Sequence, residues 1–386
     1  MNIKDSNIAI VHDWFQKNSF GGSEKVTITL NNFFKEKYST PDIFSITSNI
    51  ENSKIKSFKK SKIQTSFIQS LPFGKTNVQS FLSFLPYAVE QLDLSKYDLI
   101  MSSSHAFAKG ILTSPDQLHI SYVHTPMRYA WDQMYTYLKQ SKLSKIGFEL
   151  PIRLMLYKLR EWDFYSSQRL DYIIANSNFT SKRIKKYWGL ESEVIHPPVD
   201  IKRFKYKNSR GDFYVSLNRL VPNKRVDLLI KAFNNLNLPL IIIGDGPERF
   251  KLEKIANPNI KFLRRISDME VEEYMSRCKA FVYAGIEDFG IAPVEAMASG
   301  APVIAYAKGG VLDTVNCLNE KNTSKFKNGL LFKKQTSQDI FDTISWFEDK
   351  KLWRKFKPEH LNEYSQNFSI EKFITKIDFS INKAWE

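Results

Sequence analysis

Two glutamates, Glu287 and Glu295, stand eight positions apart in the stretch AGIEDFGIAPVEAMASG, which runs from Ala284 to Gly300. Carboxylates accept strong hydrogen bonds from hydroxyl groups, so a pair placed around one turn suits a ligand rich in hydroxyls, such as a sugar. The apolar run AFVY ends just before the turn, Glu287 and Asp288 fall in the loop, and Glu295 falls in the first turns of the next helix. The amides of Phe289, Gly290 and Ile291, together with the start of that helix, offer donors to hydroxyls or phosphates. Read alone, Glu295 is also a good helix former near the positive end of a helix.

Three further places pair a strand end with polar or glycine-rich sequence. In SLNRLVPNKRVDLLI, Arg219 and Lys224 bracket Pro222. Two fixed cations beside a helix start suit a diphosphate, whose charge must be neutralised as it departs. In HDWFQKNSFGGSEKV, Gly21 and Gly22 precede a helix, where backbone amides approach an anion closely; the other reading is a loop with Ser23 as its cap. In SYVHTPMRYAWD, His124 closes a strand and either reaches a ligand or satisfies local backbone groups. No second histidine or carboxylate lies at metal-ligand spacing there, so no metal site is expected. The segment IIIGDGPER has G-x-G after a strand, but Pro247, Glu248 and Arg249 stand where a dinucleotide fingerprint needs a third glycine.

The elements that must hold these residues alternate along the chain. NIAIVHDW, DIFSIT, YDLIMSSS, LHISYVH and LDYIIANS predict buried strands, with a helix over residues 23–37. The rhythm restarts after Pro197–Pro198 with DFYVSLNRL, the helical KRVDLLIKAFNNL, LPLIIIGDG, KAFVYAG, the helical APVEAMAS and PVIAY. Short strands alternating with helices predict an α/β fold of parallel sheets, and the restart predicts two domains joined near IHPPVDIKRF. Ligands of such sheets bind outside the carboxyl ends of the strands.

The chain has 386 residues, ample for two domains, and 56 Lys and Arg against 41 Asp and Glu, a net charge of +15. Such an excess attracts nucleotide phosphates, anionic lipid or nucleic acid. Lysines cluster over residues 52–64 and again in TSKRIKKYW (Thr180–Trp188). No zinc-finger spacing or RNP-like aromatic string accompanies them. Cys278 and Cys317 are the only cysteines, which excludes a disulfide framework and a cysteine zinc site and predicts a reducing, cytoplasmic setting. The opening MNIKDSNIAIVHDWF is too short in its apolar run for a secretory signal, and no run of eighteen apolar residues predicts a membrane span.

Taken together, GGSEKV, HTPMRYAWD, ANSNFTSKRI, HPPVD, RLVPNKRVDLLI, IIGDGP, EDFGIAPVEAMASGAPVIAYAKGG and NGLLF resemble the motifs of the retaining glycosyltransferases of family 4. Within that family SSSHAFAKG and HTPMRYAWD look most like bacterial mannosyltransferases of O-antigen or capsule assembly. The resemblance implies a GT-B fold of two facing Rossmann-like domains: residues 1–195 on the acceptor side, residues 196–360 binding the nucleotide sugar, and a C-terminal helical segment, 361–386, packing back on the first. It implies that Arg219 and Lys224 hold the donor diphosphate, Glu295 the ribose and Glu287 the transferred sugar. Asp288 and the amides of Phe289, Gly290 and Ile291 complete the donor site, with Gly21 and Gly22 at the phosphate and His124 beside the reacting sugar. Arg128 and Trp131 are the acceptor-side candidates.

Three departures from the family pattern are Asn218 where glycine is frequent, Arg264–Arg265 in KFLRRISD, which bears on base recognition, and His196 before the proline pair. The implied reaction is metal-independent, needs no cofactor, and moves a hexose from GDP-mannose, or another nucleoside-diphosphate hexose such as a UDP-hexose, to a lipid-linked or oligosaccharide acceptor. Peripheral attachment at the inner face of the plasma membrane is expected from the lysine cluster and the aromatic segment Asn77–Leu92, a segment that also reads as core packing. A GT-B epimerase or phosphorylase, and a nucleic-acid-binding protein, are the competing classes; the last leaves Glu287, Glu295 and the glycine-rich loops without a role.

Overall fold

The run IAIVHDWF has no alternation because both of its faces are covered, and in the computed structural model it is the strand β1, Ile8–Phe15, with seven of its eight residues buried. The structure describes residues 3–16, 21–50, 58, 63–140, 147–318 and 326–386. It divides into two units, residues 1–198 with 373–386, and residues 199–372.

In the first unit β1 is joined by β2 (Asp42–Ser48), β3 (Ile63–Thr65), β4 (Leu99–Ser104), β5 (Leu118–Val123), β6 (Tyr172–Ala175) and β7 (Glu193–Val194). All pair in parallel, in the order β3-β2-β1-β4-β5-β6-β7. The helix Gly22–Lys37 returns the chain from β1 to β2 and buries Val26, Leu30, Phe33 and Phe34. From Phe373 the C-terminal helix Ile370–Trp385 belongs to this unit: Phe373, Ile377 and Ile381 share a core with Ile8, Ile10 and Leu30. The Asp378 carboxylate takes the Tyr38 hydroxyl at 2.7 Å and an ion pair from Lys37.

The second unit has β8 (Tyr214–Leu217), β9 (Leu240–Ile243), β10 (Ile260–Leu263), β11 (Ala280–Tyr283), β12 (Val303–Tyr306) and β13 (Gly329–Phe332), parallel in the order β10-β9-β8-β11-β12-β13. Leu361 and Phe368 are buried in this unit's core, so residues 361–372, expected to return to the first domain, stay with the second.

The segment Asn77–Leu92 divides its apolar residues. Val78, Leu85, Ala88, Val89 and Leu92 are core, whereas Phe84 and Tyr87 are exposed. Most of the lysine cluster at 52–64 lies outside the described residues. On the helix Asn178–Trp188, Lys182, Lys185 and Lys186 face solvent while Arg183, Ile184 and Trp188 are buried.

Candidate functional site

In the second unit β8 and β11 are neighbours, yet the chain leaves β8 toward β9 and leaves β11 toward β12. Their carboxyl ends therefore flank the point where the strand order reverses, the place where a parallel sheet opens a crevice for a ligand. Beyond β8, Asn218 is buried, its amide donating to Ser216 Oγ at 2.7 Å, and Arg219 is exposed. Pro222 starts one 3₁₀ turn, Pro222–Lys224, and Arg225, at φ 51°, opens the helix Val226–Leu236. Beyond β11, Glu287 forms an ion pair with Lys224, and the Tyr283 hydroxyl donates to the same carboxylate oxygen. A buried tyrosine of its own strand and a lysine of the neighbouring loop thus fix one carboxylate. The loops touch at Gly285, where an added Cβ would lie 3.1 Å from Lys224 Cα.

Two glycine pairs, Gly309–Gly310 and the G-x-G of Gly244 and Gly246, set the height of these loops. The Gly310 amide, after β12, donates to the Glu287 carbonyl at 2.9 Å. A Cβ on Gly310 would fall 2.3 Å from the Asp288 carbonyl oxygen, and one on Gly309, at φ 94°, 2.5 Å from the Glu287 carbonyl oxygen. Likewise Cβ atoms at Gly244 and Gly246 would fall 1.9 Å and 2.3 Å from the carbonyl oxygens of Asn218 and Leu220. The G-x-G of IIIGDGPER thus lets the backbone pass under the Arg219 loop. Gln335 adds a hydrogen bond of 2.8 Å to the Ala284 carbonyl. Gly290, at φ 92°, caps the helix Ile291–Ala298; Asp288 and Phe289 are buried beside it, and Glu295 is buried in its second turn. The β8 and β11 loops thereby bring an exposed guanidinium, a lysine, a carboxylate and a helix start to one sheet end, a set matched to a ligand carrying both phosphate and hydroxyl groups.

The first unit has its own reversal, between β1 and β4. His124 follows β5, buried, with Nε2 at 2.9 Å from Ser103 Oγ. Thr27 Oγ1 lies 3.0 Å from that hydroxyl and 3.2 Å from His12 Nδ1, which lies 3.0 Å from the Ser103 carbonyl. Burial, reinforced by the neighbouring His105 and His12 rings, holds His124 well below the usual imidazole range, so it is neutral at pH 7. Burial likewise lowers His12 against the opposing pull of Glu24. Gly21, rather than Ser23, caps the helix Gly22–Lys37, and its amide donates to Glu24 Oε2 at 2.9 Å, so the Gly21 amide is committed within the chain. Arg128 is half-buried. Trp131 is built into the unit: its indole N–H donates to the buried Asp163 at 2.8 Å and its ring stacks on Tyr187.

Sequence reasoning passed over His12, Asp13 and His105. The signal was present, since HDW lies in the last four residues of β1 and SSSH runs over the end of β4, but the two stretches are some ninety residues apart and only the sheet order brings them together. Among the described residues no group of three or more His, Cys, Asp or Glu side chains is arranged to hold a metal ion.

Two family descriptions match the chain: Glycosyltransferase Family 4 over residues 20–203 and Glycosyl transferases group 1 over residues 199–368. The chain belongs to the family 4 glycosyltransferases. An uncharacterized glycosyltransferase of Methanocaldococcus jannaschii is 30% identical over 227 residues, 58% of this chain and 61% of that one. The alpha-1,3/1,6-mannosyltransferase ALG2 of Saccharomyces cerevisiae is 30% identical over 59% of this chain and 55% of its own length. The chain thus spans between half and two thirds of the length of these curated relatives. The crystal structure of Anabaena HepE in complex with UDP and glucose superposes with a TM-score of 0.68 at 17% identity, covering 98% of this chain and 99% of that one. That likeness shows the fold, the GT-B architecture of two Rossmann-like domains. Among the described residues of this family 4 member no helix is long and apolar enough to cross a membrane.

Proposed function

We propose that this family 4 protein transfers a hexose from a nucleoside-diphosphate sugar to an acceptor hydroxyl, with GDP-mannose as donor. The observation that carries the reading is the meeting of the Arg219–Lys224 loop with Glu287 at the carboxyl ends of β8 and β11. Arg219 and Lys224 bind the diphosphate and stabilise its charge as the bond to the anomeric carbon breaks with oxocarbenium character. The acceptor oxygen bonds to that carbon on the face the phosphate leaves, and the acceptor proton passes to a phosphate oxygen, so configuration is retained without an enzyme nucleophile. Glu287 orients the sugar through its hydroxyls, and Glu295 binds the ribose. The two cations take the part that a metal ion plays elsewhere, so the reaction proceeds without one.

Mannose is favoured by the mannosyltransferase name of the yeast relative, and the UDP and glucose bound to the Anabaena protein favour a UDP-hexose as the second reading. The acceptor is a lipid-linked or oligosaccharide hydroxyl in bacterial surface-glycan synthesis, met by peripheral association with an anionic membrane; exposed Phe73, Phe84 and Tyr87 and the net positive charge support that placement. Release of GDP from GDP-mannose and of UDP from UDP-glucose, each with and without EDTA, tests the reading. EDTA-resistant GDP release with an α-mannoside product supports it, UDP release alone replaces the donor, and release of neither overturns it.

A further inference from the structure

Asp13 lies two residues before the end of β1 inside the first unit, fully buried, and its carboxylate is almost saturated by the chain that follows β4. Oδ1 accepts the amides of Phe107 and Ala108 at 2.5 and 2.9 Å, and Oδ2 accepts the amide of His105 at 2.7 Å. His105 Nδ1 lies 3.0 Å from Oδ2, in a contact bent away from hydrogen-bond alignment. Burial raises the Asp13 carboxyl, but the His105 and His12 rings and the His105 and Phe107 amides outweigh it, and the group sits below the ordinary carboxylate range. A permanent negative charge therefore lies against one edge of the His105 ring.

Burial sets the other imidazoles of the cluster apart from this one. His12 is fully buried and His124 nearly so, and both are held neutral. The His105 side chain is 26% exposed while Nδ1 is buried against Asp13, so the exposed edge is the one that carries Nε2. Trp14 packs edge-on against the ring with centroids 4.7 Å apart, and His12 lies 5.8 Å away, so the ring has a fixed attitude. The position is also particular: β1 and β4 are the strands between which this sheet reverses, and His105 directly follows β4. The equivalent reversal in the second unit carries Arg219, Lys224 and Glu287. A transferase has two substrates, and this fold has two reversal points.

We propose that His105, oriented by Asp13, is a binding residue for the acceptor sugar, its Nε2 making a hydrogen bond to an acceptor hydroxyl. Asp13 is the positioning residue: it sets the rotamer of the ring and keeps Nε2 at the exposed edge. The inference rests on the glycosyl-transfer reading for its biological meaning, but the contact itself is between an imidazole and a sugar hydroxyl and can be observed without turnover.

The experiment uses the full chain with methyl α-mannoside as the acceptor probe. NMR of the imidazole carbons follows titration with the probe, the His105 signal being assigned from His105→Gln. In parallel, the rate of GDP release from GDP-mannose is measured with and without the probe for the wild type, His105→Ala, His105→Gln and Asp13→Asn, with stabilisation by GDP as the check on folding and donor binding. The expected result is a saturable shift of the His105 signal and a probe-dependent rate that falls about tenfold or more in His105→Ala, the loss of one hydrogen bond to a polar group. His105→Gln, which keeps a side-chain polar group, recovers part of that rate, and Asp13→Asn lowers it through the probe KM. Loss of GDP stabilisation in a folded His105→Ala protein would place His105 on the donor and overturn the assignment. A His105 signal that does not move, or a probe-dependent rate unchanged in His105→Ala, overturns it as well. A wild type that releases no nucleotide yet shows the saturable His105 shift would refute the transfer reading and leave the sugar-binding role standing.

Discussion

The carboxylate of Glu287 is ion-paired with the ammonium of Lys224, so the loops that end β8 and β11 are joined across the reversal of the second sheet. Both side chains remain partly exposed, at 24% and 17%, which leaves the pair within reach of a ligand. In the proposed reaction a diphosphate arriving at Lys224 would compete with Glu287 for the same cation, and displacement would release the carboxylate to meet sugar hydroxyls.

Glu287→Gln therefore separates binding from turnover. Without the competing carboxylate, Lys224 is available to phosphate, so GDP binding should be unchanged or tighter. Turnover of the sugar nucleotide should fall on the order of a hundredfold, because the group proposed to orient the sugar during transfer is lost. Calorimetry with GDP beside a nucleotide-release assay reads both quantities on one protein preparation. Parallel loss of binding and turnover would contradict this division of labour.

Gly310→Ala tests the seat of the loop that carries Glu287. Its Cβ would meet the Asp288 carbonyl oxygen at 2.3 Å, and the neighbour is backbone, which cannot rotate away. The expected cost is about 1–3 kcal/mol in urea denaturation, together with weakened GDP binding. A variant with wild-type stability and binding would show that the loop has more room than its contacts indicate.

Lys109 and Asp163 form a pair 3.0 Å apart that is almost wholly removed from solvent, and Trp131 and Trp188 each donate an indole N–H to Asp163 at 2.8 Å. Lys109→Met leaves that carboxylate without its cation, and a loss of about 3–5 kcal/mol is expected by chemical denaturation. The double variant Lys109→Met with Asp163→Asn should regain a large part of it, since neither charge is then stranded. A double variant no better than the single one would mean that packing, not charge, dominates the site.

Acid stability carries the mark of the buried imidazoles. His119 lies in β5 with Nε2 at 2.9 Å from Ser102 Oγ, and burial, helped by Arg169 and Lys109, pushes it down to about 3. The unfolded chain binds this proton from its ordinary value near 6.5 downward, whereas the folded chain does not until about 3. Between those values the unfolded state holds more protons, so His119 makes stability fall with falling pH by about 1.4 kcal/mol per unit. Denaturation midpoints at pH 7, 6, 5 and 4 should show a shallower fall in His119→Gln than in the wild type.

Much of the frame was legible because buried parallel strands are written as short apolar runs: LIMSSS, LHISYV and AFVY are each a strand of the fold. That Arg219, Lys224 and Glu287 lie at strand ends was legible for a related reason, since each follows such a run within a few positions. Their partners were harder to see. Tyr283 reads as an ordinary strand residue until its hydroxyl is placed on Glu287. Gly309 and Gly310 look like turn glycines, and only the packing of the β12 loop against residues 287–289 gives them their purpose. The Asp13–His105 contact joins residues 92 positions apart, and no local spacing encodes it. Trp131, an acceptor-side candidate in HTPMRYAWD, has a partner that its sequence neighbourhood does not show: its indole N–H is tied to Asp163, 32 positions away.

The central claim is that a nucleoside diphosphate binds at the ends of β8 and β11, and calorimetric titration of GDP and UDP into the wild type, Arg219→Ala and Lys224→Ala tests it most directly. The account predicts saturable binding of GDP to the wild type, weakened about tenfold or more in each folded variant. Nucleotide affinity unchanged in both variants would contradict it.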